Sequence, residues 1–387
     1  MNRDVVIVSA ARTAVGSFLG AFADLKAQTL GAYAMREAIK RANIDGSLID
    51  EIIVGNIIQT EPKGNPAREA MLEAGLPIQI PAFTVNKNCA SSLKAVSLAA
   101  LMIKVGEADV ILVAGMENMS RTPYVIRNAR KGFRMGDQPC EDLLLELLEG
   151  MGLTAERLAD KYRITREAQD QFAFESHMKA AKAQAAGLFN DEIVPVEVPG
   201  RKGTSITVNK DEGVRLDITL ETLSKLKPVF KKDGTVTAGN SSSINDGAGA
   251  LILMAAEKAN ELGLKPLVRI KGWASAGCDP DIMGIGPVPS TRRLMNLTGM
   301  GIHDFDLIEL NEAFASQSLA VVKELKFDLK KVNVNGGAIS LGHPTGATGS
   351  ILLTKLIYEM KRRQSGTGLA TMCIGGGQGM SIVLENL

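Results

Sequence analysis

The same order of strand-like and helix-like segments occurs twice in this chain, and that limits the fold more than any other feature. Val- and Ile-rich runs at 4–9, 51–55 and 109–114 read as strands. Apolar spacing near 3.6 residues at 29–42, and the largely apolar run 91–105, read as helices. The order recurs near the C-terminus. There 306–310 is strand-like, 313–325 helix-like, 331–335 strand-like and 347–362 helix-like, before strands 368–374 and 381–385 form a final hairpin. Short strings match between the two parts. Ile53-Val54-Gly55-Asn56 parallels Glu309-Leu310-Asn311, Val85-Asn86-Lys87-Asn88 parallels Val332-Asn333-Val334-Asn335, and 110–115 parallels 369–375, each roughly 250 residues apart. Any two α/β halves share short Val/Asn strings, but matches in one order favour an internal duplication. The β-α-β-α-β order predicts parallel or mixed sheets covered by helices.

The stretch 120–226 is different, being more charged and less strand-like. It carries the basic run 127–134, a helix-like 165–186 and the basic run 199–203. Three units are therefore expected: a first half at 1–119, an inserted loop domain with return to that half at 120–248, and a second half at 249–387. An insertion between similar halves commonly carries binding elements. The net charge of +1 gives no basis for a nucleic-acid partner, and the basic runs lack aromatic interleaving. No window reads as a membrane span, because Lys104 interrupts the best candidate at 96–105, so no membrane insertion is expected. No export signal is visible, so the four cysteines at 89, 140, 278 and 373 are expected as free thiols in the cytoplasm.

Cys89 stands immediately before the helix at 91–105. A thiol there meets the positive helix end and free backbone N–H groups, which lower its pKa and favour the nucleophilic thiolate. Position alone leaves a second reading open, since a lone Cys is also a small buried hydrophobe. His343 is one of 3 histidines and is flanked by Gly336, Gly337, Gly342 and Gly346. Those glycines admit a ligand or another backbone, and Pro344 stiffens the chain beside the ring. Cys373 ends a strand before Gly375-Gly376-Gly377. A dinucleotide loop would open a helix here, but a strand follows, so this glycine run reads as a turn whose amides face a reacting group. His177 reads as exposed on a charged helix and His303 as structural, and no Cys or His set has metal-ligand spacing.

At these residues the chain resembles the thiolases along nearly its whole length. Asn88-Cys89-Ala90-Ser91, Asn311-Glu312-Ala313-Phe314-Ala315, Gly336-Gly337-Ala338-Ile339 with Gly342-His343-Pro344, and Cys373-Ile374-Gly375-Gly376-Gly377 resemble that family's motifs in the family's order. So does the coenzyme-A-facing stretch Thr237-Ala238-Gly239-Asn240-Ser241-Ser242 with Asn245-Asp246-Gly247-Ala248. The resemblance implies an α/β, five-layered αβαβα fold from two similar halves with an inserted loop domain, and a homodimer or homotetramer. It implies reversible cleavage of 3-ketoacyl-CoA by CoA to acyl-CoA and acetyl-CoA, with Cys89 as nucleophile, His343 as its base and Cys373 as acid or base at the α-carbon. Asn311 would position a water in one oxyanion site, and the amides of Cys89 and Gly375 would form the other. CoA enters as a substrate, with no permanently bound cofactor. Arg215, Thr222, Phe230, Ala238 and Ser242 match its contacts, while Met151, Met283 and Phe314 match the acyl end; for Met151, Met283 and Phe230 ordinary core packing is the competing reading.

One position departs from part of the family. Biosynthetic acetoacetyl-CoA thiolases usually carry histidine just before Met-Gly-x-Thr-Ala-Glu, where this chain has Gly150. A smaller residue there predicts a wider acyl pocket and a degradative, β-oxidation type. The competing functions are an acetoacetyl-CoA-specific enzyme, a ketoacyl synthase and a non-catalytic thiolase-like lipid carrier or assembly subunit. The synthase reading lacks its second histidine, and the carrier reading conflicts with the presence of every reactive group.

Overall fold

The computed structural model describes residues 3–61, 64–200 and 203–387. Arg201 and Lys202 of the second basic run lie outside them. The main strands are β1 (Val5–Thr13), β2 (Glu51–Gly55), β3 (Ala82–Val85), β4 (Val110–Asn118), β5 (Asn245–Ala255), β6 (Val268–Gly277), β7 (Leu307–Leu310), β8 (Thr367–Ile374) and β9 (Gln378–Asn386). The helices used below are α1 (Ala27–Ala42), α2 (Pro66–Glu73), α3 (Ser91–Val105), α4 (Met151–Tyr162), α5 (Arg166–Ala185), α6 (Pro287–Thr298), α7 (Ala315–Leu325) and α8 (Thr348–Arg363).

The strand path runs β7-β8-β9-β6-β1-β5-β4-β2-β3. Outward from the β6/β1 seam the two halves pair alike for three steps, and the first half then adds β3 at its edge. Beside the seam β1 pairs antiparallel with β5, and β6 antiparallel with β9. Then β5/β4 and β9/β8 are antiparallel, while β4/β2 and β8/β7 are parallel. Even the irregularities repeat, with a register shift after Ile7 in β1 and after Ile270 in β6. The duplication read from short strings is therefore a duplication of topology. At the seam the halves pair at Val6/Arg269 and Ile7/Val268.

Side-chain alternation builds the layers. Ile52, Val54, Leu112 and Ala114 face a core shared with α1 and α2. Ile53, Ile111 and Val113 face the opposite way, into a core shared with α3, α8 and the strands β8 and β9. Ile308, Leu310, Leu369 and Val383 face a third core with α6 and α7. Helices outside, sheet, paired central helices, sheet and outer helices make the αβαβα stack. Because both faces of these strands are buried, their sequences read as continuous apolar runs. The 18-residue segment Asn88–Val105 is long and apolar enough to cross a membrane. Its apolarity belongs to the central layer, where α3 packs between the sheets.

Two expectations change. The segment 331–335 is not a strand; only Val332 bridges Ile308. Asn333 turns away at φ 44°, and its amide takes over the ladder by accepting from Leu310 N at 2.9 Å and donating to Leu310 O at 2.8 Å. The division at 248/249 falls inside β5, which pairs on both sides with first-half strands, so the seam between halves comes after it.

Candidate active site

The central helices α3 and α8 bring their N-termini together, and the chemistry-bearing loops precede those termini. Ser350 N donates to Ser92 Oγ at 3.0 Å, tying one helix start to the other. Gly115 of β4 lies beneath both. A Cβ there would come within 2.5 Å of Ser92 Cβ and 2.8 Å of Ala347 Cα, so only glycine permits this approach.

Cys89 reaches the junction through a sharp turn. Asn88 holds φ at 46°, a left-handed conformation that Asn tolerates better than most residues. Its Nδ2 donates to Gly375 O at 2.9 Å, which pins the nucleophile turn to the β8–β9 turn. The backbone N–H groups of Gly375 and Cys89 favour the Cys89 thiolate. The expected lowering of its pKa does not follow. Burial pushes the Cys89 thiol up despite those N–H groups, and the Glu117 carboxylate adds to the rise. In a low-dielectric pocket, desolvation of a thiolate outweighs a helix end.

His343 is buried on the loop before α8. Its backbone N–H donates to Asn245 Oδ1 at 2.9 Å, and its Nδ1 lies 2.6 Å from Thr348 Oγ1. The Thr348 hydroxyl donates its one hydrogen to Pro344 O at 2.9 Å. It therefore faces Nδ1 as an acceptor. That pattern assigns the ring proton to Nδ1 and leaves Nε2 bare. Burial lowers the His343 pKa to about 4, so the ring is neutral at neutral pH. Asn311 Nδ2 lies 3.5 Å from the bare nitrogen. Asn311 Oδ1 is buried without a protein partner, which fits an acceptor awaiting a water or substrate group.

Cys373 lies on β8, 1% exposed. Burial and the neighbouring Cys89 sulfur both push its thiol up. Asn311 N donates to Thr371 O at 3.0 Å, bringing the end of β7 beside the strand that carries Cys373. Met151, Met283, Ala313 and Phe314 pack around Cys373 in one small apolar cluster. The structure thus gathers two thiols, a neutral imidazole and a carboxamide at one apolar-walled site. Such a set can hold and exchange an acyl group.

Comparison with known proteins agrees with that chemistry. Residues 5–257 match the family model "Thiolase, N-terminal domain" and residues 264–386 match "Thiolase, C-terminal domain". The chain belongs to the thiolase family. It is 52% identical, over 99% of both chains, to an acetyl-CoA acetyltransferase of Pseudomonas aeruginosa. It is 49% identical, over 98% of both, to a probable acetyl-CoA acyltransferase of Staphylococcus aureus. Among solved structures, the Bacillus anthracis acetyl-CoA acetyltransferase aligns at TM-score 0.98 with 44% identity over 100% of both chains. Human mitochondrial 3-ketoacyl-CoA thiolase in complex with CoA aligns at TM-score 0.96 with 41% identity, covering 100% of this chain and 98% of that one.

In this thiolase the expected acyl-end and CoA positions separate into two groups. Phe230 stands edge-on to Phe314 with ring centroids 6.1 Å apart, and lies over Gly152 at the start of α4. Ser242 N donates to Ala313 O at 3.0 Å, which fastens the stretch carrying Ala238 to the wall of the site. Arg215 and Thr222 lie on the exposed surface of the insertion. The Thr222 side chain caps its own short helix through Thr219. Neither of those two side chains bonds to Cys89, His343 or Cys373.

His177, expected on the surface, is 4% exposed; its Nδ1 accepts from Arg215 N at 3.2 Å, and burial lowers its pKa to about 4. The charged neighbours that suggested exposure occupy the other face of α5. Among the described residues no group of three or more His, Cys, Asp or Glu could hold a metal ion. Sequence reasoning missed Glu117 and Thr348. The only local signal was a carboxylate closing the buried run 110–116 and a hydroxyl on the first residue of the helix after His343.

Proposed function

We propose that this thiolase carries its acyl group on Cys89 and cleaves a range of 3-ketoacyl-CoA chains, acetoacetyl-CoA included, in the degradative direction of fatty-acid β-oxidation. The reaction of the family is reversible: 3-ketoacyl-CoA and CoA exchange with acyl-CoA and acetyl-CoA. His343 Nε2 takes the Cys89 proton as the sulfur attacks the thioester or ketone carbonyl. The N–H groups of Cys89 and Gly375 stabilise the oxyanion of the acyl-sulfur intermediate, while His343 and a water held by Asn311 stabilise the enolate side. Cys373, kept as a thiol by its dry surroundings, moves the proton at the α-carbon. The meeting of both thiols with a neutral His343 at the ends of the paired helices carries this reading. Arg215, Thr222, Phe230, Ala238 and Ser242 are assigned to CoA, and Met151, Met283 and Phe314 to the acyl chain.

Gly150 supports the wider range. It begins α4 at φ 77°, and no atom lies within 4 Å of where its Cβ would be. A larger side chain would start into open space there, on a backbone conformation that suits glycine. Initial thiolysis rates across 3-ketoacyl-CoA substrates of increasing length test this; activity confined to the four-carbon substrate refutes it and leaves an acetoacetyl-CoA-specific enzyme. Copies of the chain associate, as homodimer or homotetramer. Among the described residues edge strand β3 pairs only with β2, and Tyr124, Phe133, Met135 and Leu145 stand exposed around the hairpin at 124–142. Sedimentation at several concentrations measures the state. A cytoplasmic setting suits four unpaired thiols.

A further inference from the structure

The His343 loop comes from the second half of the chain, but the first half holds it. Asn245 of β5 takes the His343 N–H, and Glu117 of the adjacent strand β4 takes the next part of the loop. Glu117 Oε2 accepts from Gly346 N at 2.9 Å and from Thr345 Oγ1 at 3.3 Å. The same oxygen accepts from Ile57 N at 3.0 Å, while Oε1 accepts from Ile58 N at 3.1 Å and Asn56 Nδ2 at 2.8 Å. Both oxygens face N–H donors, which suits a carboxylate; an amide would set N–H against N–H. Glu117 is 0% exposed, and among the described residues no Lys, Arg or His bonds to it. A buried charge without a cation is costly. Burial accordingly pushes its pKa up to about 7, against the pull of the surrounding donors.

The geometry points to Glu117 as a positioning residue for acyl transfer, clamping the loop that carries His343 to the sheet on which the Cys89 helix rests. Glu117 has this role only if Cys89 and His343 do the chemistry assigned to them above. A Cβ at Gly346 would meet Glu117 Oε2 at 2.5 Å, which shows how closely the loop is seated. The titratable group that feels the carboxylate is the Cys89 thiol, which its charge pushes up.

The test is Glu117→Gln in the full chain, with kcat counted per Cys89 titrated by iodoacetamide. We expect kcat for thiolysis to fall about tenfold to a hundredfold, as misplacement of a reacting group does, while KM stays within about twofold. The pH midpoint of Cys89 alkylation should move down, because a negative charge has gone; a loss of folded protein alone would move neither quantity. A kcat within about twofold of the wild type overturns the assignment. Should Glu117→Gln fail to fold, Thr345→Val removes a single donor to the same oxygen. A drop in kcat of a few fold at constant KM supports the clamp, and an unchanged kcat overturns it. Cys89→Ala separates the two layers: full turnover there sinks the nucleophile assignment, whatever Glu117 does.

Discussion

Replacing Thr348 by valine tests which nitrogen of His343 carries the proton. Valine keeps the shape of threonine but offers Nδ1 no acceptor. In the wild type that acceptor is 2.6 Å from the ring, and the hydroxyl hydrogen is committed to Pro344 O. Losing a buried acceptor costs about 1–3 kcal/mol, charged here against the tautomer that leaves Nε2 bare. At about 1.4 kcal/mol per factor of ten, the population of the bare-Nε2 form falls about fivefold to over a hundredfold. If that nitrogen takes the Cys89 proton, formation of the acyl-sulfur intermediate slows in the same proportion. Quenched-flow mass spectrometry of acetyl-Cys89 after mixing with acetyl-CoA measures this step directly. Thr348→Ser, which keeps the hydroxyl, should stay within about threefold of the wild type. A Thr348→Val enzyme that acylates within about twofold of the wild type would refute the tautomer and, with it, the base role of Nε2.

The other expectations concern buried charge. His177 stays neutral in the fold down to about pH 4, whereas in the unfolded chain it protonates near 6.5. Folded stability through this group is therefore complete above 6.5 and is lost as pH falls toward 4, by about 2 kcal/mol at pH 5. His177→Asn keeps an acceptor for Arg215 N without titrating. Urea unfolding at fixed protein concentration should show the wild type losing about 2 kcal/mol more than the variant between pH 7.5 and 5. Equal losses would contradict the buried, neutral ring. Lys355 Nζ bonds Glu309 Oε2 and Gly336 O, each at 2.8 Å, with both side chains 4% exposed. Lys355→Met strands a buried carboxylate and should cost about 3–5 kcal/mol, most of it recovered by adding Glu309→Leu. A single-variant loss below about 1 kcal/mol in thermal or urea unfolding would show that water reaches the pair.

Much of this protein was legible one segment at a time. The Val/Ile runs at 51–55 and 110–116, the helix starting at Ser91 and the turn at Gly375–Gly377 each depend on a few neighbours in the chain, through pleat, helix period and glycine backbone freedom. The doubling of the strand order was visible because the same local rules were written twice. Motif likeness placed Cys89, Asn311, His343 and Cys373 in one site, and their chemistry as isolated side chains could be stated from residue type.

Packing decided what those side chains became. The strand expected at 331–335 gave way to Asn333, whose amide could replace backbone pairing only once β7 lay beside it. The sign of the Cys89 shift reversed, and His177 turned inward, because dielectric surroundings are built by residues distant in sequence. Glu117 and Gly346 are 229 positions apart along the chain, and no periodicity links them. Order along the chain fixes local conformation because torsions and turns are short-ranged. Desolvation and hydrogen-bond geometry are properties of a closed three-dimensional packing, and they exist only after the two halves have met.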